Sequence, residues 1–460
     1  MIGIFLLLFL IRLPVFISDG FLTIPELNWM LIGEKLAAFQ LPYIGVWDNV
    51  APLSALTYGL IDLMFGRSQL AYVVIATLLV TYQCSIFNGF LLGSKAYNEN
   101  TFVPALVYGL LASCFFDFFT LSPVLLSFTW VLLAIRVVFY QVDSPLQDVN
   151  ILTAGLLLSL AALFYLPSAV FLCSILFAFI LFANLTLRQY LLLIYGSCLP
   201  IVFVALIFYW LDGFSPFVRQ YLLSYFNLEP IHTMGLFSLL FIGFVPLIFF
   251  LIALFRVTQE SIRYNNHQTR LQQVMLAMLG GGLLILMLDK ERSAHHLLFI
   301  VPPLAFYITH YFLNIERIIL AEALMSLLLI YVVMVNYGAL YEFFGIDTIT
   351  KSKQLLVQPT PYDDQVQGKK ILMLGENLNV YKNAQLATPY LDWQLSAPKL
   401  REVDYYDNLS QVYVNFSNDM PEIIIDETQT MPPLLSRIPK LKAAYQKQGN
   451  LYLLKQQANN

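Results

Sequence analysis

The residues best suited to chemistry fall in two groups separated by most of the chain. The first is the stretch 12–68, which holds Asp19, Glu26, Glu34, Lys35, Asp48, Asp62 and Arg67 beside Trp29, Tyr43 and Trp47. The second is Asp289-Lys290-Glu291-Arg292, followed closely by His295 and His296. A carboxylate in a partly dry setting beside an apolar run suits general-base work. Lys and Arg at the edge of such runs suit a lipid phosphate, Arg through its bidentate fork. Arg219, near Tyr221 and Tyr225, is a third candidate. An interfacial anchor of aromatic rings and arginine is its plainer reading.

Each candidate carries a structural alternative. Asp19-Gly20 is a turn dipeptide, in which Asp bonds its own backbone. Glu26 would share a helix face with Asp19 only in a continuous helix, and Gly20 and Pro25 argue against one. Thr23 to Glu26 instead reads as a capping box with Pro25 in the first turn, so Glu26 is either a cap or a catalyst. The helix that follows, to about Ala38, is amphipathic and expected to lie along a membrane interface. Asp48 or Asn49 would cap a helix with Pro52 in its first turn, or form a polar rim facing Asp19's cavity. Lys290 and Arg292 would otherwise snorkel from a solvated loop. Adjacent on a helix, His295 and His296 point apart and do not form a metal pair. Carboxylates and water suit Mg²⁺ or Mn²⁺, but no ligand cluster in the sequence specifies either. Arg12 lies inside an apolar run, where a charge needs a partner, and Asp117 sits at the end of another.

The chain that must position these residues is mostly apolar: 59% hydrophobic and 12% charged, with mean hydropathy +0.71. That composition defines a polytopic membrane protein. A net charge of −4 leaves no basic surface for nucleic acid. Cys84, Cys114, Cys173 and Cys198 lie in apolar runs without metal or disulfide spacing and read as small buried hydrophobes. Residues 1–17 lack a basic leader and a small-residue cleavage site, and are expected to be a retained first helix. Candidate spans are 1–17, 70–93, 102–117, 121–140, 150–165, 167–185, 189–211, 233–256, 272–288, 294–313 and 316–340, about eleven at the length a bilayer requires. The blocks 102–140 and 150–185 are too long for one span and read as hairpins split at Pro123 and Pro167. The basic 257–271 loop, with Arg263 and Arg270, places the N-terminus in the cytoplasm. Loop 18–69 and the C-terminal region then share the opposite, periplasmic face.

From residue 344 the charged fraction rises, with 12 Lys/Arg and 12 Asp/Glu. Runs at 370–374, 412–416, 423–425 and 451–454 read as strands, and 432–447 as a helix stopped by Gly449. Residues 1–343 are thus read as a transmembrane domain and 344–460 as a small extracytoplasmic α/β domain. Gly375 follows a strand, but no dinucleotide glycine pattern surrounds it.

Arg12-x-Pro14, Asp19, Glu26, Gly33, Pro42-Tyr43, Trp47-Asp48, Pro52-Leu53 and Phe65-Gly66 together resemble the start of the GT-C superfamily of membrane glycosyltransferases. The protein O-mannosyltransferases and the lipid A aminoarabinose transferases look most similar. A family of Bacteroidetes membrane proteins also looks similar over this stretch. Asn49-Val50-Ala51-Pro52-Leu53 stands where the family has a Pro-Pro-Leu element. His295, His296 and Pro302-Pro303 resemble its late outer segment, and Thr388 to Trp393 with Pro421 to Asp426 resemble its small outer domain. The resemblance covers the whole chain in layout and is specific over 12–68. It implies an inverting transfer of a sugar from a polyprenyl-phosphate donor to a glycan, lipid or protein acceptor, at the outer face of a bacterial inner membrane. Asp19 would be the base or hold the acceptor, and Lys290 and Arg292 would hold the lipid phosphate as charge develops on it. Those enzymes usually carry adjacent Asp-Glu in the first loop; here Gly20 follows Asp19.

Two other readings compete. A non-catalytic GT-C-like subunit of a cell-envelope or secretion complex would share the fold without turnover. A transporter would show paired halves with broken helices, and the sequence shows neither halves nor repeats.

Overall fold

The computed structural model describes residues 1–17, 19–142, 147–182, 185–259 and 265–455, with the side chains of Asp19, Phe182, Asn227, Ile231 and His232 outside that description. Arg263 also lies outside the described residues. The chain packs into two compact units. The first contains 1–21, 69–207 and 230–354; the second contains 22–68, 208–229 and 355–460.

The first unit is helical. Among the described residues, six helices are long and apolar enough to cross a bilayer: Gln69–Gly93, Pro123–Gln141, Leu187–Trp210, Asn266–Leu288, Ala294–Leu313 and Ile318–Leu340. The bent pair Leu236–Ile242 and Phe244–Gln259 makes a seventh if it is one span. Expected spans at 1–17, 102–117, 150–165 and 167–185 form shorter helices, Ile2–Ile11, Val103–Leu111, Asp148–Phe164 and Phe171–Phe182. Both expected hairpin splits are present. Ser122 caps the helix from Pro123 by accepting from Leu125 N–H at 3.1 Å, and the chain turns at Tyr165 before Pro167. Leu191, Val202, Phe203 and Leu206 on one long helix, and Ile318, Ile319 and Ile330 on another, are exposed. Apolar surface of that extent is stable only against lipid, so the protein is integral to a membrane.

Helix contacts use small residues, as the Gly280–Gly282 run leads one to expect. A Cβ on Gly281 would sit 2.1 Å from Ser174 Oγ, and one on Gly282 would sit 2.8 Å from Phe299 O. Cys84 and Cys114 are buried as expected, but Cys173 and Cys198 are exposed; an apolar helix face turned to lipid carries a cysteine as readily as a packed one. Arg12 is fully buried. Its partners are Thr77 Oγ1, at 3.0 Å, and the Phe119 ring, at 5.0 Å.

The second unit is a three-layer α/β unit. Its five-stranded sheet runs Gln385–Leu386, Lys370–Leu374, Ile423–Asp426, Leu451–Leu454, Tyr445–Gln448. The first three strands are parallel and the last two join antiparallel. Alternate residues of each strand face opposite sides. Ile371, Met373, Ile423 and Ile425 pack with Leu27, Leu31, Ile32 and Ala55. Leu372, Leu374 and Ile424 pack with Val412, Phe416, Leu434 and Leu441. One face of the sheet is therefore covered by helices Ile24–Ala37 and Pro52–Phe65 from the first loop, the other by helices near the C-terminus. The apolar side of Ile24–Ala37, expected at a membrane interface, is spent on this core. On Pro52–Phe65 the stripe Leu56, Leu60, Leu63 and Met64 remains exposed.

Two expected elements differ. Residues 412–416 lie in helix Tyr406–Asn418, because Leu409, Val412, Tyr413 and Phe416 repeat at helical spacing and face one core. The expected helix 432–447 breaks into Met431–Arg437 and Pro439–Ala444, and Tyr445–Gln448 is a strand. Pro439 cannot continue the preceding helix. Gly449, with φ +63°, makes the hairpin turn rather than ending a helix.

Candidate functional site

In the first unit, four chain segments converge on the turn after helix Asn266–Leu288. They are Asp117, Tyr165, residues 231–234, and Asp289 to His296. His295 reaches Asp117 Oδ2 twice, through its backbone N–H at 3.0 Å and Nδ1 at 2.9 Å. Asp117 Oδ1 is buried without a hydrogen-bond partner among the described residues. The neighbouring ring, with its centroid 4.4 Å away, takes different partners. Ser293 N–H donates to His296 Nδ1 at 3.2 Å. That bond leaves Nε2 to carry the proton of the neutral ring. Nε2 lies 2.7 Å from the Tyr165 hydroxyl, which in turn donates to Asp289 Oδ2. Both histidines are buried; their rings lie side by side and meet different carboxylates, Asp117 at 2.9 Å from His295 Nδ1 and Asp289 at 3.3 Å from His296 Nε2.

The turn bearing Lys290 and Arg292 is tied down along its backbone. Asp289 Oδ1 accepts from Glu291 N–H at 3.2 Å. Arg292 O accepts from Thr233 Oγ1 at 2.7 Å and from Met234 N–H at 3.1 Å. Glu291–Arg292 also pair in parallel with Ile231–His232. Lys290 and Arg292 themselves are half-buried. The Asp19 side chain lies outside the described residues; its backbone opens a short 3₁₀ turn, Asp19–Phe21.

Glu26, Asp48 and Arg219 belong to the second unit. Glu26 is 1% exposed, and its N–H donates to Thr23 Oγ1 at 3.3 Å, so the Thr23 half of the capping reading is present with Pro25 in the first turn. Asp48 does not cap the Pro52–Phe65 helix. The N-cap is Ala51, and Asp48 Oδ1 closes an Asx turn with Val50 N–H at 2.7 Å, while Oδ2 accepts from Asn28 at 3.0 Å. Burial pushes the Asp48 carboxyl up from its ordinary pKa, against the hydrogen bonds from Asn28 and Val50. Arg219 is exposed, and its neighbour Tyr221 is buried against Tyr43.

Tyr165 is the member of the converging group that sequence reasoning missed. It ends an apolar helix, where a tyrosine reads as an ordinary interfacial anchor. Asp117 was legible as a span-end acid and a candidate cavity residue, but its partner, 178 positions away, was not. Among the described residues no group of three or more His, Cys, Asp or Glu is arranged to hold a metal.

This chain shares its fold with solved GT-C membrane glycosyltransferases. The ArnT structure from Cupriavidus metallidurans bound to undecaprenyl phosphate is similar over 95% of this chain and 88% of its own, with TM-score 0.53 and 9% identity. The oligosaccharyltransferase AglB from Archaeoglobus fulgidus, in complex with an inhibitory peptide and a dolichol-phosphate, is similar over 100% of this chain and 74% of its own, with TM-score 0.50 and 10% identity. No family model and no curated protein matches the chain by sequence.

Proposed function

We propose that the protein is an integral-membrane glycosyltransferase, which moves a sugar from a polyprenyl-phosphate donor to a glycan, lipid or protein acceptor at the extracytoplasmic face of a bacterial inner membrane. The observation that carries this reading is the turn at Asp289 to Ser293. Its backbone is hydrogen-bonded at several points, and it bears Lys290 and Arg292 beside two buried carboxylate–histidine pairs. Fixed cations suit the charge that develops on a leaving lipid phosphate. Two solved proteins of the same fold were crystallised with polyprenyl phosphates, which supports the same class of donor.

Alternation of about eleven spans assigns the loops at 117, 165, 231–234 and 289–296 to one face. Their convergence supports that alternation. So do the contacts of the loops assigned to the other face: His267 with Ser94 O at 2.7 Å, Gln268 with Asn98 at 3.0 Å, and Arg188 with Asp148 at 3.0 Å. With the N-terminus cytoplasmic, the 344–460 region is periplasmic. Asp19 is the proposed base or acceptor-binding group, on the resemblance of the 12–68 stretch to the GT-C enzymes. His295 and His296 are assigned to binding of the donor. Asp117 Oδ1, buried without a partner among the described residues, is the proposed acceptor for a substrate hydroxyl.

The test is Asp19→Asn and, separately, Lys290→Ala with Arg292→Ala, each restored to a deletion strain whose envelope glycans and glycoproteins are profiled. Loss of the same glycan species in both variants, at wild-type protein levels, is expected. Full complementation by Asp19→Asn removes the catalytic assignment. Complementation by both variants leaves a subunit of an envelope complex as the function.

A further inference from the structure

The geometry points to Tyr165, with Asp289 and His296, as a positioning device for the Lys290–Arg292 turn. The inference rests on the donor reading above and adds Tyr165, which that reading does not contain. The Tyr165 hydroxyl joins two parts of the chain that flank the cations, and their own direct approach, His296 Nε2 to Asp289 Oδ2, is longer at 3.3 Å. Tyr165 donates to Asp289 Oδ2 and lies 2.7 Å from His296 Nε2. Asp289 fixes the turn at its start through Glu291 N–H, and His296 fixes it at its end through Ser293 N–H. Lys290 and Arg292 lie between these two anchors.

The direction of the chain of bonds follows from its donors. The Ser293 N–H can only donate, so His296 Nδ1 accepts, and Nε2 holds a proton. The tyrosine oxygen accepts that proton's hydrogen bond and passes its own to the Asp289 carboxylate. Every member is buried or, for Tyr165, half-buried. A buried network with each donor matched to an acceptor rigidifies what it holds, and a cation on a rigid turn loses little freedom when it takes up a phosphate. Tyr165 touches neither the proposed phosphate site nor the reacting atoms in this scheme; it acts through the turn.

The experiment compares two probes on the purified full-length protein in nanodiscs: undecaprenyl phosphate and undecaprenol, which lacks the phosphate. For Tyr165→Phe, binding of undecaprenyl phosphate weakens roughly fivefold, the scale of one hydrogen bond, while undecaprenol binding is unchanged. A general loosening of the helices would weaken both probes equally and overturns the inference. Wild-type affinity for undecaprenyl phosphate in Tyr165→Phe, together with loss of it in Lys290→Ala/Arg292→Ala, also overturns the inference and leaves the donor reading standing. Wild-type affinity in the double variant removes the donor reading itself, and the inference with it. If Tyr165→Phe does not fold, Asp289→Asn decides by the same comparison, because it keeps the side chain's shape and weakens the same link.

Discussion

Lys35 and Asp419, 384 positions apart in sequence, form a 2.7 Å ion pair within the second unit. Lys370 meets the other oxygen of the same carboxylate at 2.9 Å. The triad joins a helix of the first loop to a strand and a loop of the sheet domain. The two partners of the short pair respond differently. Burial pushes the Lys35 ammonium down from its ordinary pKa, and Asp419 only partly opposes this. Burial also pushes the Asp419 carboxyl up, but two lysines outweigh it and hold it below the usual carboxylate range. The asymmetry follows from the neighbours: Asp419 has two lysines beside it, while Lys370 works against Lys35 as Asp419 and Glu34 work for it.

Asp419→Asn is expected to cost about 2 kcal/mol, since it leaves the largely buried Lys35 ammonium without its carboxylate, whereas Lys35→Met costs less because Asp419 keeps Lys370. Lys35→Met and Asp419→Asn each lower the unfolding temperature of the protein in detergent. The combined variant loses less than the sum of the two, because neither charge is then left alone. Additive losses would show that the pair is not coupled.

The depressed Asp419 pKa sets a pH dependence. An aspartate titrates near about 3.9 in an unfolded chain, and lower in this fold. Its stabilisation is therefore complete above that value and is lost as pH falls through the lower folded pKa. Thermal unfolding followed from pH 6 downward declines at the acid end, and Asp419→Asn flattens that decline. Equal acid sensitivity in the variant would assign the effect to other carboxylates.

Asp117 takes two hydrogen bonds from His295, both in a buried setting. Asp117→Ala leaves a backbone N–H and a ring nitrogen without an acceptor, an expected cost of about 2–3 kcal/mol. Asp117→Asn retains an acceptor oxygen and costs less. Thermal denaturation of the two purified variants checks the order; an alanine variant as stable as the asparagine variant would contradict the pairing.

Gly281 meets Ser174 so closely that an added Cβ would overlap Oγ at 2.1 Å. Gly281→Ala is expected to destabilise the first unit by about 1–3 kcal/mol through forced side-chain movement. Ser174→Ala in the same chain removes the overlapping atom. The remaining neighbours stand at 3.3 Å, so most of the loss is recovered. Absence of recovery in melting curves would locate the strain elsewhere.

Much of the first unit was legible along the chain because lipid imposes a local rule. Apolar runs of spanning length become helices, and Ser122-Pro123 and Tyr165 to Pro167 mark where one helix ends and the next begins. The Thr23 cap, and the strand alternation at Lys370–Leu374 and Ile423–Asp426, are local rules of the same kind. Residues 412–416 were misread for a related reason: β-branched and aromatic residues favour strands only until helical spacing finds a core to face.

Tertiary structure decided the rest. In sequence, the first loop shows an amphipathic helix whose apolar side could meet lipid or protein. Only the assembled sheet, with Ile371, Met373, Ile423 and Ile425 on one face, shows that Leu27, Leu31 and Ile32 are used against protein. Likewise Asp117, Tyr165, Asp289 and His296 each read alone as a span-end or loop residue. A hydrogen bond depends on position and direction in space, and chain order carries neither across 124 or 178 residues.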